Sequence, residues 1–163
     1  MALLDDRVRS LAEAARWKEP RQEKGGAYRF RLEKGLDITL FAPDGRQCIL
    51  RAELAPLPAA APEREELLQT VVRHQAGACR TRASIVALER PGESLLPASA
   101  DGDRLVLQSL LELEAPQAQF DTAVRDFLND LAWWRKVLES VRSRGEESAS
   151  LFSLQGSFFG GIY

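Results

Sequence analysis

His74 is the only histidine in the chain, so a Ser/His/Asp or Cys/His relay would have to be built around this one imidazole. It lies beside Arg73 in a helical stretch, where an exposed or helix-capping ring is the simpler expectation than a general base. Cys48 and Cys79 are the two cysteines, in unrelated contexts and without CxxC spacing. One histidine and two dispersed thiols do not supply the four ligands of a zinc site, so no metal site is expected. The glycines form neither GxGxxG nor GxxxxGK[ST], which removes the two common phosphate cradles, and no cofactor is expected. The carboxylate pairs Glu65-Glu66 and Glu146-Glu147 fall at a helix start and in a tail, where solvation explains them better than acid-base work. No catalytic residue emerges, and the expected work is non-enzymatic.

The Trp133-Trp134 pair is the other concentrated feature. Adjacent helical side chains diverge by about 100°, so the two indoles cannot both face one core. Trp134 continues an apolar stripe, whereas Trp133 flanks it and either packs at the edge of a sheet or meets a partner.

The elements that must position these residues follow from periodicity. Leu4, Val8, Leu11 and Ala15 share one helical stripe, predicting a first helix over about residues 3–18 that Pro20 stops. Tyr28, Phe30 and Leu32 alternate with arginines, and Leu36, Ile38, Leu40 and Ala42 repeat the period of two across a turn at Lys34-Gly35. Pro43-Asp44-Gly45 is a strong turn signal, after which Cys48, Leu50, Ala52 and Leu54 alternate again. A three-stranded antiparallel meander is the expected product. The stretch APLPAAAP over 55–62 reads as a crossover loop, because its three prolines suit neither a central strand nor a helix interior.

A second helix begins near Glu63, carries Leu67, Leu68, Val71 and Val72, and ends near Gly77. A β-prone segment over 81–89 contains Ile85 and Val86, and LVLQSLLEL over 105–113 reads as a strand buried on both faces. Phe120, Val124, Phe127, Leu131, Trp134, Leu138 and Val141 are spaced 4, 3, 4, 3, 4 and 3, predicting a long amphipathic helix from Gln117 to about Ser143. That stripe suits a coiled coil as well, but three heptads bearing large aromatics favour packing on a sheet. The expected fold is α+β: a twisted antiparallel five-stranded sheet with three helices in the order α-β-β-β-α-β-β-α. Residues 1–143 form the domain, and 144–163 a flexible tail rich in Ser, Gly and aromatics.

Composition agrees with a globular chain: 45% hydrophobic and 28% charged residues exclude the polarity of disorder. A net charge of -2 gives no overall positive field for nucleic acid or an anionic membrane, so neither is an expected partner. The first 34 residues carry nine Lys and Arg against six Asp and Glu, scattered in sequence as on a solvated face. The start lacks the basic and apolar regions of a signal peptide, and no run approaches the ~20 apolar residues of a membrane span. A reduced cytoplasmic location is expected.

The element order resembles the class I type III secretion chaperones, the CesT/SycE-like family of Gram-negative bacteria. The resemblance is carried by GLDITL over 35–40, Pro56-Leu57-Pro58, the Leu67-Leu68 pair, and the 105–113 strand followed by the Phe120, Phe127, Trp134 helix. It covers about residues 3–141 through apolar spacing rather than invariant letters. His74-Gln75 stands where an Asn often closes the family's second helix, and the aromatic tail is an addition.

The resemblance implies a homodimer that holds the N-terminal segment of a secreted effector in extended form, through apolar grooves and a strand edge. The residues expected to meet the effector are Leu4, Val8 and Leu11 on the first helix with Tyr28, Phe30, Leu32 and Leu40 on the strands. One short helix is too small to cover that strand face. The residues expected to meet a second copy are Leu68, Val72, Ile85, Val86 and Leu88, which match the family's association surface. A regulatory adaptor of the same fold, sequestering a regulator of secretion gene expression, is the competing reading. A small enzyme with a site that leaves no motif is a more distant one.

Overall fold

The computed structural model of the chain describes residues 2–23, 25–32, 36–92 and 102–158, with side chains placed from residue 3 to residue 143. Helix α1 (Ala2–Ala15) turns Leu4, Val8 and Leu11 inward as their spacing requires. It stops before residue 18 because Arg16 takes a left-handed conformation, φ 55°. The Trp17 amide then closes the helix end by donating to the Ala12 carbonyl at 2.9 Å.

Strands β1 (Tyr28–Arg31), β2 (Asp37–Phe41) and β3 (Gln47–Pro56) form the antiparallel meander. The turn expected at Lys34-Gly35 lies outside the described residues. The second turn follows its sequence signal: Gly45 adopts φ 71°, and the Asp44 carboxylate accepts the amides of Arg46 and Gln47, each at 2.9 Å. Those two amides hold the Asp44 carboxyl below its ordinary pKa.

Strand β3 runs further than the prolines suggested, with Ala55 and Pro56 opposite Leu105 and Arg104. A register shift between Glu53 and Ala55 makes this possible, and Pro56 occupies the last strand position, where a missing amide costs least. Helix α2 (Ala61–Ala78) likewise begins before Glu63, since Pro62 fits a first turn whose amides have no intrahelical partner.

Strands β4 (Ile85–Glu89) and β5 (Arg104–Glu112) complete a five-stranded, wholly antiparallel sheet in the order β1-β2-β3-β5-β4. Helix α3 (Gln117–Phe158) continues beyond the expected end near Ser143. The three-helix, five-stranded α+β order is the one expected from the sequence.

One face of the sheet carries Tyr28, Phe30, Ile38, Leu40, Cys48, Leu50, Ala52, Leu105 and Leu107 into the core. Phe120, Val124, Phe127, Leu131, Trp134 and Leu138 of α3 pack there, and α3 also touches α1 and α2. The stripe of α3 therefore serves the sheet and not a coiled coil. Fully burying a large apolar side chain contributes about 1.5–3 kcal/mol, so this layer dominates stability.

Polar ties fix the remaining elements. The Arg7 guanidinium joins α1 to the β5–α3 connection, donating to the carbonyls of Leu113 at 3.1 Å and Ala115 at 2.5 Å and to the Gln117 side chain at 2.8 Å. Arg51 of β3 makes a bidentate pair with Glu89 of β4 at 2.7 and 2.9 Å, reaching across β5. Arg104 of β5 adds contacts of 3.2 Å to Glu53 and 3.9 Å to Glu89. Among the described residues no helix is long and apolar enough to cross a membrane.

Candidate polypeptide-docking surfaces

A five-stranded open sheet has two edges, and edges are where another chain can add. At the first, the amide of Val86 in β4 donates to the side-chain oxygen of Gln75 on α2 at 2.9 Å. A main-chain donor turned away from β5 is thus already occupied by the neighbouring helix.

Around this edge, apolar surface is exposed. Val72 on α2 is 66% exposed, Ile85 56% and Leu88 43%, while Leu68 and Val86 are half-buried. A shallow depression of about 500 Å³ runs along the outer side of α2, lined by Ala61, Arg64, Leu68, Val72 and Arg73 among others. The five residues expected to meet a second copy thus lie along one margin. Alternation nevertheless splits them: Val86 and Leu88 stand opposite Leu107 and Leu105 on the helix side, whereas Ile85 stands opposite Gln108 on the other. Leu110, 56% exposed, shares that other face. The sequence reading missed it by taking 105–113 as buried on both sides.

The surface expected to meet an effector is placed differently. Leu4, Val8, Leu11, Tyr28, Phe30 and Leu40 are all buried, and only Leu32 is half-exposed. One short helix does not cover the strand face alone: the aromatic stripe of α3 fills the space beside α1. These six side chains are core rather than an open groove.

The opposite edge, β1, is only partly covered. Gln22 makes an isolated antiparallel bridge to Tyr28, and the Glu23 amide donates to the Ala27 carbonyl at 2.8 Å. Beyond that bridge no further strand pairs with β1 among the described residues. Tyr28 itself is anchored from inside, its hydroxyl donating to Asp5 at 2.7 Å. Burial, and then the Asp5 carboxylate, push its phenol up to about 12.

The titratable groups singled out in the sequence make no relay. His74 is exposed, and its Nδ1 donates to the Thr70 carbonyl at 2.9 Å within the same helix. Burial pushes the Cys48 thiol up to about 12, leaving it protonated and inert at neutral pH, while Cys79 is exposed. Among the described residues no three His, Cys, Asp or Glu side chains gather as a metal site would require.

Trp134 is wholly buried, and Trp133 is half-buried 4.9 Å from it, edge to face. Trp133 packs against the core beside the connection that leads into the edge strand β4. Arg82, from the turn after α2, stacks on its ring at 4.5 Å and also pairs with the buried Asp130 of α3, which accepts the Ser84 hydroxyl as well. This cluster locks the α2–β4 connection onto α3, and so holds the margin that carries Val72, Ile85 and Leu88.

No protein-family model and no curated protein matches the sequence. Solved structures do share its fold. A chaperone–effector complex, HopA1–SchA, superposes with a TM-score of 0.59 at 9% identity, over 82% of this chain and 94% of the other. The type III secretion chaperone SycH of Yersinia pestis, solved with a fragment of YscM2, gives 0.50 at 10% identity over 80% and 98%. YbjN from E. coli, a candidate transcription regulator, gives 0.57 at 15% identity over 85% and 92%. The chain therefore has the fold of type III secretion chaperones, and of at least one protein assigned elsewhere.

Proposed function

We propose that this chain is a type III secretion chaperone: it binds the N-terminal region of a cognate effector and keeps it soluble and secretion-competent in the bacterial cytosol. The observation that carries the reading is the fold itself, an open sheet with two partly covered edges and apolar margins, shared over four fifths of the chain with a chain of the HopA1–SchA chaperone–effector complex and with the chaperone SycH. Binding by strand edges and apolar margins needs no chemistry beyond main-chain hydrogen bonds and side-chain burial. That is in keeping with a chain whose perturbed groups are scattered and inert.

The same reading includes a homodimer through α2 and β4, where Val72, Ile85 and Leu88 are exposed together. A stable interface of this kind buries more than ~1,000 Å² in total. It also treats residues 1–143 as the binding domain, with 144–163 dispensable for its stability.

The regulatory adaptor remains the second reading, favoured by the likeness to YbjN. Mass spectrometry of what co-purifies with the tagged chain from its native host separates the two. An effector captured through its N-terminal segment supports the chaperone, and a folded regulator of gene expression captured instead supports the adaptor.

A further inference from the structure

The structure gathers charges that the sequence leaves scattered. Between the end of α1 and strand β1 lies a groove of about 1030 Å³. Arg16, Lys18, Arg21, Arg29 and Arg31 line it, against two acids, Glu19 and Glu23. Glu23 is already spent on Arg29, at 3.3 Å. On a chain of net charge -2, five cations around one groove form a local reversal of sign.

Its floor is apolar. Trp17 meets the buried Phe30 edge to face, with centroids 5.3 Å apart, and the half-buried Leu32 and Leu36 continue the surface. Arg16 is the one non-glycine residue with positive φ among the described residues, in a left-handed position where glycine is the usual occupant. Backbone strain of this kind concentrates where a side chain is wanted for function. Here it places a guanidinium at the groove's rim.

We propose that this groove binds an acidic-apolar segment of a partner polypeptide, Asp or Glu alternating with large apolar residues. The apolar side chains would rest on Trp17, Leu32 and Leu36, and the carboxylates would face the arginines. The occupant is fixed by complementarity of both kinds: a purely anionic ligand leaves the floor uncovered, and a purely apolar one leaves the cations without partners from the ligand. The proposal rests on the chaperone reading and adds the composition of the segment held.

The test uses the full chain and three fluorescein-labelled peptides of equal length: alternating Glu and Leu, alternating Lys and Leu, and alternating Glu and Ser. Fluorescence anisotropy should show the Glu-Leu peptide binding at least about tenfold more tightly than either other peptide, and weakening as salt rises. Arg21→Glu combined with Arg31→Glu should lower that affinity about tenfold, with an unchanged circular dichroism spectrum. Arg16→Gly should also weaken binding while leaving the melting temperature equal or higher, a combination that mere structural damage cannot give.

Equal affinity for Glu-Leu and Lys-Leu peptides, or indifference to the double charge reversal, would overturn the proposal. Binding of phosphatidylglycerol vesicles in place of any peptide would overturn it as well. If the charge-reversed chain still captures an effector N-terminus from the native host, the groove assignment fails and the chaperone reading stands. If the wild-type chain captures no effector, that reading fails independently of the peptide result.

Discussion

At the scale of single residues, the clearest consequences come from groups held away from water. Glu89 neutralises Arg51 and approaches Arg104, and all three side chains are nearly buried. Glu89→Gln should therefore destabilise the fold by on the order of 3 kcal/mol, read as a lowered urea midpoint, because it strands a buried guanidinium. Replacing Arg51 and Glu89 together with Met and Leu should recover most of that loss, since both desolvation penalties vanish. The thiols give a second expectation. At pH 8 a thiol reagent should modify Cys79 at once and Cys48 only after unfolding, because burial keeps Cys48 protonated.

The raised values also fix an alkaline limit. Cys48 and Tyr28 bind their protons more tightly in the fold than in the unfolded chain, where they titrate near 9 and 10. Their contribution is complete below about pH 9 and is lost as pH rises towards 12, so unfolding should become easier through that window. Cys48→Ala should flatten the decline between pH 9 and 10, which denaturant titrations at stepped pH would reveal.

At the scale of elements, the margin formed by α2 and β4 is the part whose exposure asks for a partner. Val72→Glu or Ile85→Glu should leave the circular dichroism spectrum unchanged and lower the mass found by light scattering from dimer to monomer; a monomer in the wild type would remove the dimer from the proposal. Gln75→Ala should free the Val86 amide, speeding its hydrogen exchange and leaving the edge more prone to strand addition. Truncation after Arg144 should leave the melting temperature nearly unchanged if α3's first 28 residues carry the packing, as the Phe120–Trp134 stripe implies.

Much of this scale was legible in the sequence, because alternation and the 4-3 stripe are direct consequences of which face meets the core. What was not legible has identifiable causes. The extension of β3 to Pro56 depends on a bulge that only the β5 partner reveals. The burial of Leu4, Val8 and Phe30 depends on α3 arriving from the far end of the chain, and no local pattern reports that. The basic groove is likewise built from residues on α1, its following loop and β1, so it reads as scatter until the chain folds.

At the scale of the whole molecule, the protein is an α+β sheet that is complete inside and open at its margins. Its core is filled from α1, α2 and α3, and among the described residues the exposed large apolar side chains are Leu3 on α1, Val72 on α2, Ile85 and Leu88 on the edge strand β4, and Leu110 on the outer face of β5. The proposed role is tested by what the protein holds. The most direct measurement is therefore limited proteolysis with mass spectrometry of the complex that co-purifies with the tagged full-length chain from its native host. The chaperone reading predicts an effector protected only over an extended N-terminal segment, in a stable complex with this chain. Recovery of a fully folded partner, protected throughout and bound through a globular surface, would contradict it.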